Sequence, residues 1–147
     1  MRLPGNLTLE VTSEEAGAER DVLEVLRGRA DLLVGRDRAL VLLYLEYGTN
    51  FCQIAHLTGM GRSHVGRRIR RIIARLCDET YRVCVQRGGF SRSELVMVKE
   101  HFVRGLSLRR IARKHNLCPY RVRKVILQAE RLAEAWALVE STARGAN

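Results

Sequence analysis

Proline is scarce in this chain of 147 residues, with two in all, and aromatic residues make up only 5%. Short alternating apolar runs punctuated by turn residues are absent as well. These shortages argue against a strand-rich fold and favour helices. No run of 18 apolar residues occurs, so no segment reads as a membrane-spanning helix. Met1, Arg2 and Pro4 lead into an acid-rich stretch without the apolar core of a secretory signal. The four cysteines (Cys52, Cys77, Cys84 and Cys118) form no C-x-x-C pair and match no histidine spacing. They read as reduced thiols of a cytosolic protein rather than as a metal site. The histidines His56, His64, His101 and His115 are scattered. No carboxylate pair, phosphate-cradling glycine loop or Ser/His/Asp set stands out, so neither catalysis nor a cofactor is expected.

Acidic residues are missing from two particular stretches. None lies between residues 47 and 77, and none lies between Glu100 and Glu130, where eight Lys/Arg stand. The whole chain carries 26 basic and 16 acidic residues, a formal net of +10. Residues 1–35 have a net of −3 and residues 36–147 a net of +13. A domain so basic attracts a polyanion, most often nucleic acid. A merely solvated helix face intersperses Glu with its Lys and Arg for i,i+4 pairing, and these stretches do not. Like charges this dense repel one another by a few tenths (~0.2–0.5 kcal/mol) per neighbouring pair, a penalty that a phosphate backbone removes.

The middle of the chain repeats. A shift of 57 positions lays Ile54-Ala55 on Ile111-Ala112, Met60 on Leu117, Val65 on Val122 and Ile69 on Ile126. The same shift lays Asp37 on Glu94, Leu45 on Phe102, Gly48 on Gly105 and Arg67 on Lys124. Each copy reads as three helices. The first copy has an apolar helix over 37–47 stopped by Gly48, then Asn50 and Gln53 as a capping box for a short helix over 51–58. A turn at Gly59-Met60-Gly61 leads into a basic helix over 62–78. The second copy opens on a capping box of Ser91 and Glu94, with a helix to Arg104 and a stop at Gly105. Ser107 caps a short helix through His115, Asn116 makes the turn, and Pro119 suits the first turn of the last helix. Gly88-Gly89 are read as the boundary between the copies.

The spacing within each copy is that of a helix-turn-helix. A small residue lets two helices cross closely, a Gly or Asn makes the turn, and a β-branched residue plugs the shared core. Ala55, Gly59 and Val65 do this in the first copy, and Ala112, Asn116 and Val122 in the second. With Gln53-Ile54-Ala55-His56-Leu57-Thr58-Gly59-Met60 followed by Val65, the stretch Arg36–Asp78 resembles region 4 of bacterial sigma factors. The second copy is similar but more distant. The resemblance covers about 45 residues and implies a helix docked in the major groove of promoter-like DNA. Nothing in the chain resembles the promoter-melting and polymerase-binding regions of a complete sigma factor.

Residues at the start of the second helix of such a pair reach base edges, and those a turn later meet bases or phosphates. In the first copy these are Arg62, Ser63, His64, Gly66 and Arg67, followed by Arg70 and Arg71, with Arg68 and Arg75 in the same basic crowd. Gly66 is costly inside a helix, by about 1 kcal/mol relative to Ala, and close approach to DNA is one reason for it. In the second copy the readers are Tyr120, Arg121, Arg123 and Lys124, with Arg109, Arg110 and Arg113 of the preceding helix on phosphates.

Outside the repeat, Thr12 and Glu15 form a capping box ahead of an acidic helix, which Gly28 weakens as a single long one. Its apolar face packs on the first unit or on the C-terminal helix; a surface for RNA polymerase or another transcription factor is the alternative. Trp136 shares a stripe with Val125, Ile126, Ala129, Leu132 and Ala133 and reads as core, with a homodimer seam left open.

The expected protein is all-α: an acidic segment 1–35 with one helix, a first helix-turn-helix unit over 36–87, and a second over 88–147 with a lengthened last helix. It is expected to bind specific double-stranded DNA and regulate transcription from the cytoplasm, associated with the nucleoid and without a membrane. Two alternatives remain open, the DNA end-binding module of a transposase or recombinase and a protein-interaction module derived from the same fold.

Overall fold

Eight helices and no strand make up the described residues, 13–146, of the computed structural model, with side chains described from residue 17 onward. They are α1 (Ser13–Ala30), α2 (Gly35–Leu45), α3 (Phe51–Thr58), α4 (Arg62–Cys77), α5 (Thr80–Arg87), α6 (Arg92–Phe102), α7 (Leu108–His115) and α8 (Pro119–Gly145). No described helix is long and apolar enough to cross a membrane. The chain divides into two compact units, one ending at Leu76 and the other beginning at Cys77.

The repeat extends to the helix bounds. α2 and α6 begin and end 57 residues apart, as do α3 and α7, and Arg62 at the start of α4 lies 57 before Pro119 at the start of α8. Local chemistry enforces this spacing at each joint. Gly48 and Gly105 both adopt positive φ, 61° and 73°, just past α2 and α6, where a side chain would be strained. The following amides close the joint, Thr49 N–H donating to Leu43 O at 3.2 Å and Leu106 N–H to Glu100 O at 2.9 Å. Asn50 and Ser107 then cap the short helices, each accepting from the third residue on, Gln53 N and Arg110 N. Asn50 and Gln53 complete a reciprocal capping box, as do Ser91 and Glu94. Gly59 and Asn116 end the short helices in the left-handed conformation, φ 70° and 54°.

Several expectations change. Each unit holds four helices, since α5 ends at Arg87, 57 residues after α1 ends at Ala30. Because α5 packs on α6 and α8, the division falls after Leu76, whereas the sequence reading placed it after residue 87. Gly88-Gly89, with φ of 73° and 87°, therefore turn the chain between α5 and α6 inside the second unit. Gly28 does not break α1, which runs through it as one helix with open space around the glycine. The Thr12–Glu15 capping box lies outside the residues whose side chains are described.

In unit 1 the core is built from Leu26, Ala30 and Leu33, from Leu40, Val41, Tyr44 and Leu45 of α2, from Ile54 of α3, and from the inner face of α4. That face is Val65, Ile69, Ile72, Ile73 and Leu76, an i, i+4, i+7 stripe that leaves Arg62, Arg67, Arg70 and Arg71 outside. Arg27 and Arg29 tie the end of α1 down, donating to the carbonyls of Leu45 at 3.0 Å and Leu76 at 2.7 Å. In unit 2 the core joins Cys84, Met97, Val98, Ile111, Ala112, Val122, Val125, Ile126 and Ala129. Trp136, read from the sequence as core, is half-buried outside this cluster, its indole covered by the Arg87 guanidinium 3.4 Å from the ring centre.

Candidate nucleic-acid interface

The buried faces of α4 and α8 determine which side chains remain outside. With Val65, Ile69 and Ile72 turned inward, Arg62, Ser63, His64, Arg67, Arg70 and Arg71 of α4 are all exposed. With Ile111 and Ala112 of α7 and Val122, Val125 and Ile126 of α8 inward, Arg109, Arg110, Arg113, Tyr120, Arg121, Arg123 and Lys124 are exposed. The structure thus leaves the sequence-predicted residues exposed on the first turns of α4 in unit 1, and on α7 and the first turns of α8 in unit 2, with Gly66 as the exception. Among the described residues no carboxylate pairs with any of these exposed cations. Arg70 instead lies over the Phe51 ring, 5.4 Å from its centre, and Phe51 stacks on Tyr44 at 5.3 Å.

Gly66 is a correction. It is buried, and a β-carbon there would stand 3.2 Å from Cδ2 of Phe51. The glycine makes room for a ring of its own unit, so it is not available to a DNA groove. In unit 2 the corresponding pair is Leu108 and Arg123: a smaller apolar residue on the short helix goes with a full side chain on the long one.

Arg68 and Arg75 are also withdrawn from the basic face. Both reach back to Asp37 near the start of α2, Arg68 at 2.9 Å from Oδ1 and Arg75 at 3.1 Å from Oδ2. One carboxylate thereby braces two turns of α4. The Nε of Arg75 is buried without a hydrogen-bond partner, so this guanidinium depends on Asp37 for its compensation.

Unit 2 uses a different acid. Glu100 of α6 is 1% exposed and is bonded by Lys114 and by His115, whose Nε2 lies 2.7 Å away, both at the end of α7. Burial pushes the Glu100 carboxyl up, but the hydrogen bonds and charges of Lys114 and His115 outweigh this and hold it below its ordinary value. The residues bearing Arg109, Arg110 and Arg113 are thus anchored to the core by the next turn of the same helix. Sequence reasoning missed this cluster. The available signal was Glu100 itself, which the 57-residue shift lays on Leu43, an apolar place in the first copy.

The other perturbed groups belong to packing. Burial raises the Cys84 thiol to about 11, which keeps it protonated and unreactive. Burial also raises Tyr44, opposed by the charge of Arg70. Among the described residues no group of three His, Cys, Asp or Glu is placed to hold a metal ion. No protein-family model, curated protein or solved structure matches the chain.

Proposed function

We propose that this protein binds double-stranded DNA through two helix-turn-helix units, of the kind its resemblance to sigma region 4 implies, and regulates transcription by doing so. One observation carries the reading. In both units the first turns of the long helix, and in unit 2 the short helix before it as well, present exposed Arg and Lys, with no acid of the described residues pairing with them. A protein interior offers no reason to hold such charge together, whereas a phosphate backbone does, through counterion release. The bracing supports the same reading. Asp37 stiffens α4, and Glu100 stiffens α7, so the cationic side chains are displayed from elements with little freedom to retreat. Orientation then comes from phosphate contacts and discrimination from the few side chains that reach base edges.

The test is fluorescence anisotropy of a labelled mixed-sequence duplex titrated with the whole chain at several salt concentrations. Log affinity should fall linearly with log salt, with a slope of about −5 or steeper for six or more phosphate contacts. A slope near zero, or no binding at low salt, would overturn the proposal.

A further inference from the structure

We infer that the DNA site of this chain has two unlike halves, one read by unit 1 at guanine through Arg67 and one read by unit 2 at thymine through Tyr120 and Leu127. This rests on the DNA-binding reading above and adds to it the base chemistry of each half.

The frames of the two units match and their outer faces do not. Ile54, Val65 and Ile69 recur inside unit 2 as Ile111, Val122 and Ile126. Along the exposed i, i+4, i+7 line of the long helix, unit 1 has Ser63, Arg67 and Arg70, whereas unit 2 has Tyr120, Lys124 and Leu127. In unit 1 that line offers hydroxyl and guanidinium donors. Arg67 is suited to the O6 and N7 acceptors of guanine in the major groove. Arg70, one turn on, lies over the Phe51 ring and is left to a phosphate. In unit 2 the same line exposes the aromatic ring of Tyr120 at 74% and the apolar Leu127 at 39%. The Leu127 side chain finds no partner in phosphate or in guanine, and the Tyr120 ring, whose hydroxyl can reach a phosphate oxygen, still turns an apolar face to the base edges. The 5-methyl group of thymine is the apolar feature of the major groove.

The phosphate grip has moved in parallel. Unit 2 carries Arg109, Arg110 and Arg113 on α7, where unit 1 has Cys52, Gln53 and His56 on α3. Unit 1 instead carries Arg70 and Arg71 on α4, where unit 2 has Leu127 and Gln128 on α8. Each unit has its own division between holding and reading, so one duplex sequence does not satisfy both.

Selection of the whole chain on a random duplex library, followed by base-analogue substitution in the selected site, tests this. Two dissimilar half-motifs are expected. Replacing thymine by deoxyuridine in one half should weaken binding on the order of fivefold, and Tyr120→Ala should remove that sensitivity. Replacing guanine by 7-deazaguanine in the other half should weaken it on the order of tenfold, and Arg67→Ala should remove that sensitivity. Both residues are exposed, and unchanged thermal melting of the variants confirms that the fold is kept. A palindrome, two identical halves, or indifference to the thymine methyl overturns the inference. Salt-dependent binding without any selected motif also overturns it but leaves DNA binding standing; absence of salt-dependent binding removes both.

Discussion

In unit 1 the acid that braces the candidate reading helix stands at the start of α2, where Asp37 holds Arg68 and Arg75 of α4. In unit 2 the acid stands in the middle of α6, where Glu100 holds Lys114 and His115 of α7. The 57-residue relation makes the exchange legible. The unit 2 counterparts of Arg68 and Arg75 are Val125 and Leu132, and the unit 1 counterparts of Lys114 and His115 are Leu57 and Thr58. One frame can therefore be latched at either of two joints. The latched helix also differs: α4 carries the cationic cluster in unit 1, and α7 carries much of it in unit 2.

The largest effect expected from breaking this comparison is on DNA affinity. Alanine at Arg109, Arg110 and Arg113 together should lower affinity on the order of a hundredfold for all sequences alike and reduce the salt slope by about 2–3. Alanine at the equivalent Cys52, Gln53 and His56 should change it by no more than about threefold. Anisotropy titrations of the two triple variants check both.

Next comes the buried latch. Glu100→Ala should destabilise unit 2 by about 2–3 kcal/mol, through the cavity and the orphaned His115 and Lys114. Glu100→Leu, which installs the residue of the first copy, should be neutral or stabilising, because an apolar side chain avoids burying a charge. Trp136 is the only tryptophan and lies in unit 2, so its fluorescence reports this melting separately. The pH dependence has a definite sign. A carboxyl held below its ordinary value contributes stability above the unfolded value, and that contribution disappears as pH falls through the folded one. The Trp136 transition should therefore weaken below about pH 4, and Glu100→Leu should flatten that dependence.

A smaller effect is expected at Asp37. Its side chain is part-exposed, as are those of its partners, so Asp37→Asn should cost about 1–2 kcal/mol in denaturant unfolding of unit 1. Gly66→Ala should be nearly neutral, within about 1 kcal/mol, because the gain in helix propensity opposes a 3.2 Å contact that the Phe51 ring must relieve by a small tilt. Combined with Phe51→Leu, which copies the second unit, the same substitution should become stabilising.

The frame of the fold was legible because its signals are local. Asn50, Ser91 and Ser107 cap, Gly48, Gly105, Gly59 and Asn116 turn, and Pro119 opens a helix, each acting within about five residues of chain. The first helix of unit 2 was less legible, whereas α1 of unit 1 was expected. α5 spans only eight residues, opens on the Asp78 carboxylate accepting from Thr80 N–H rather than on a reciprocal capping box, and its partners on α8 lie far along the sequence. The roles of individual arginines were the least legible. Arg68 and Arg67 are neighbours in a run of like charges, and only the packing of α4 on α2 turns one toward Asp37 and the other outward. Gly66 was misread for a related reason, since nothing local reveals the Phe51 ring above it.

The most direct measurement is residue-level NMR mapping of the whole chain on addition of a selected duplex at moderate salt. Amide and side-chain shifts should move together at residues 62–71 and at residues 109–124, while α1 and α5 remain undisturbed. Shifts confined to α1, α5 or the far end of α8, or saturation without any change at those two stretches, would contradict the assignment of DNA contact to these faces.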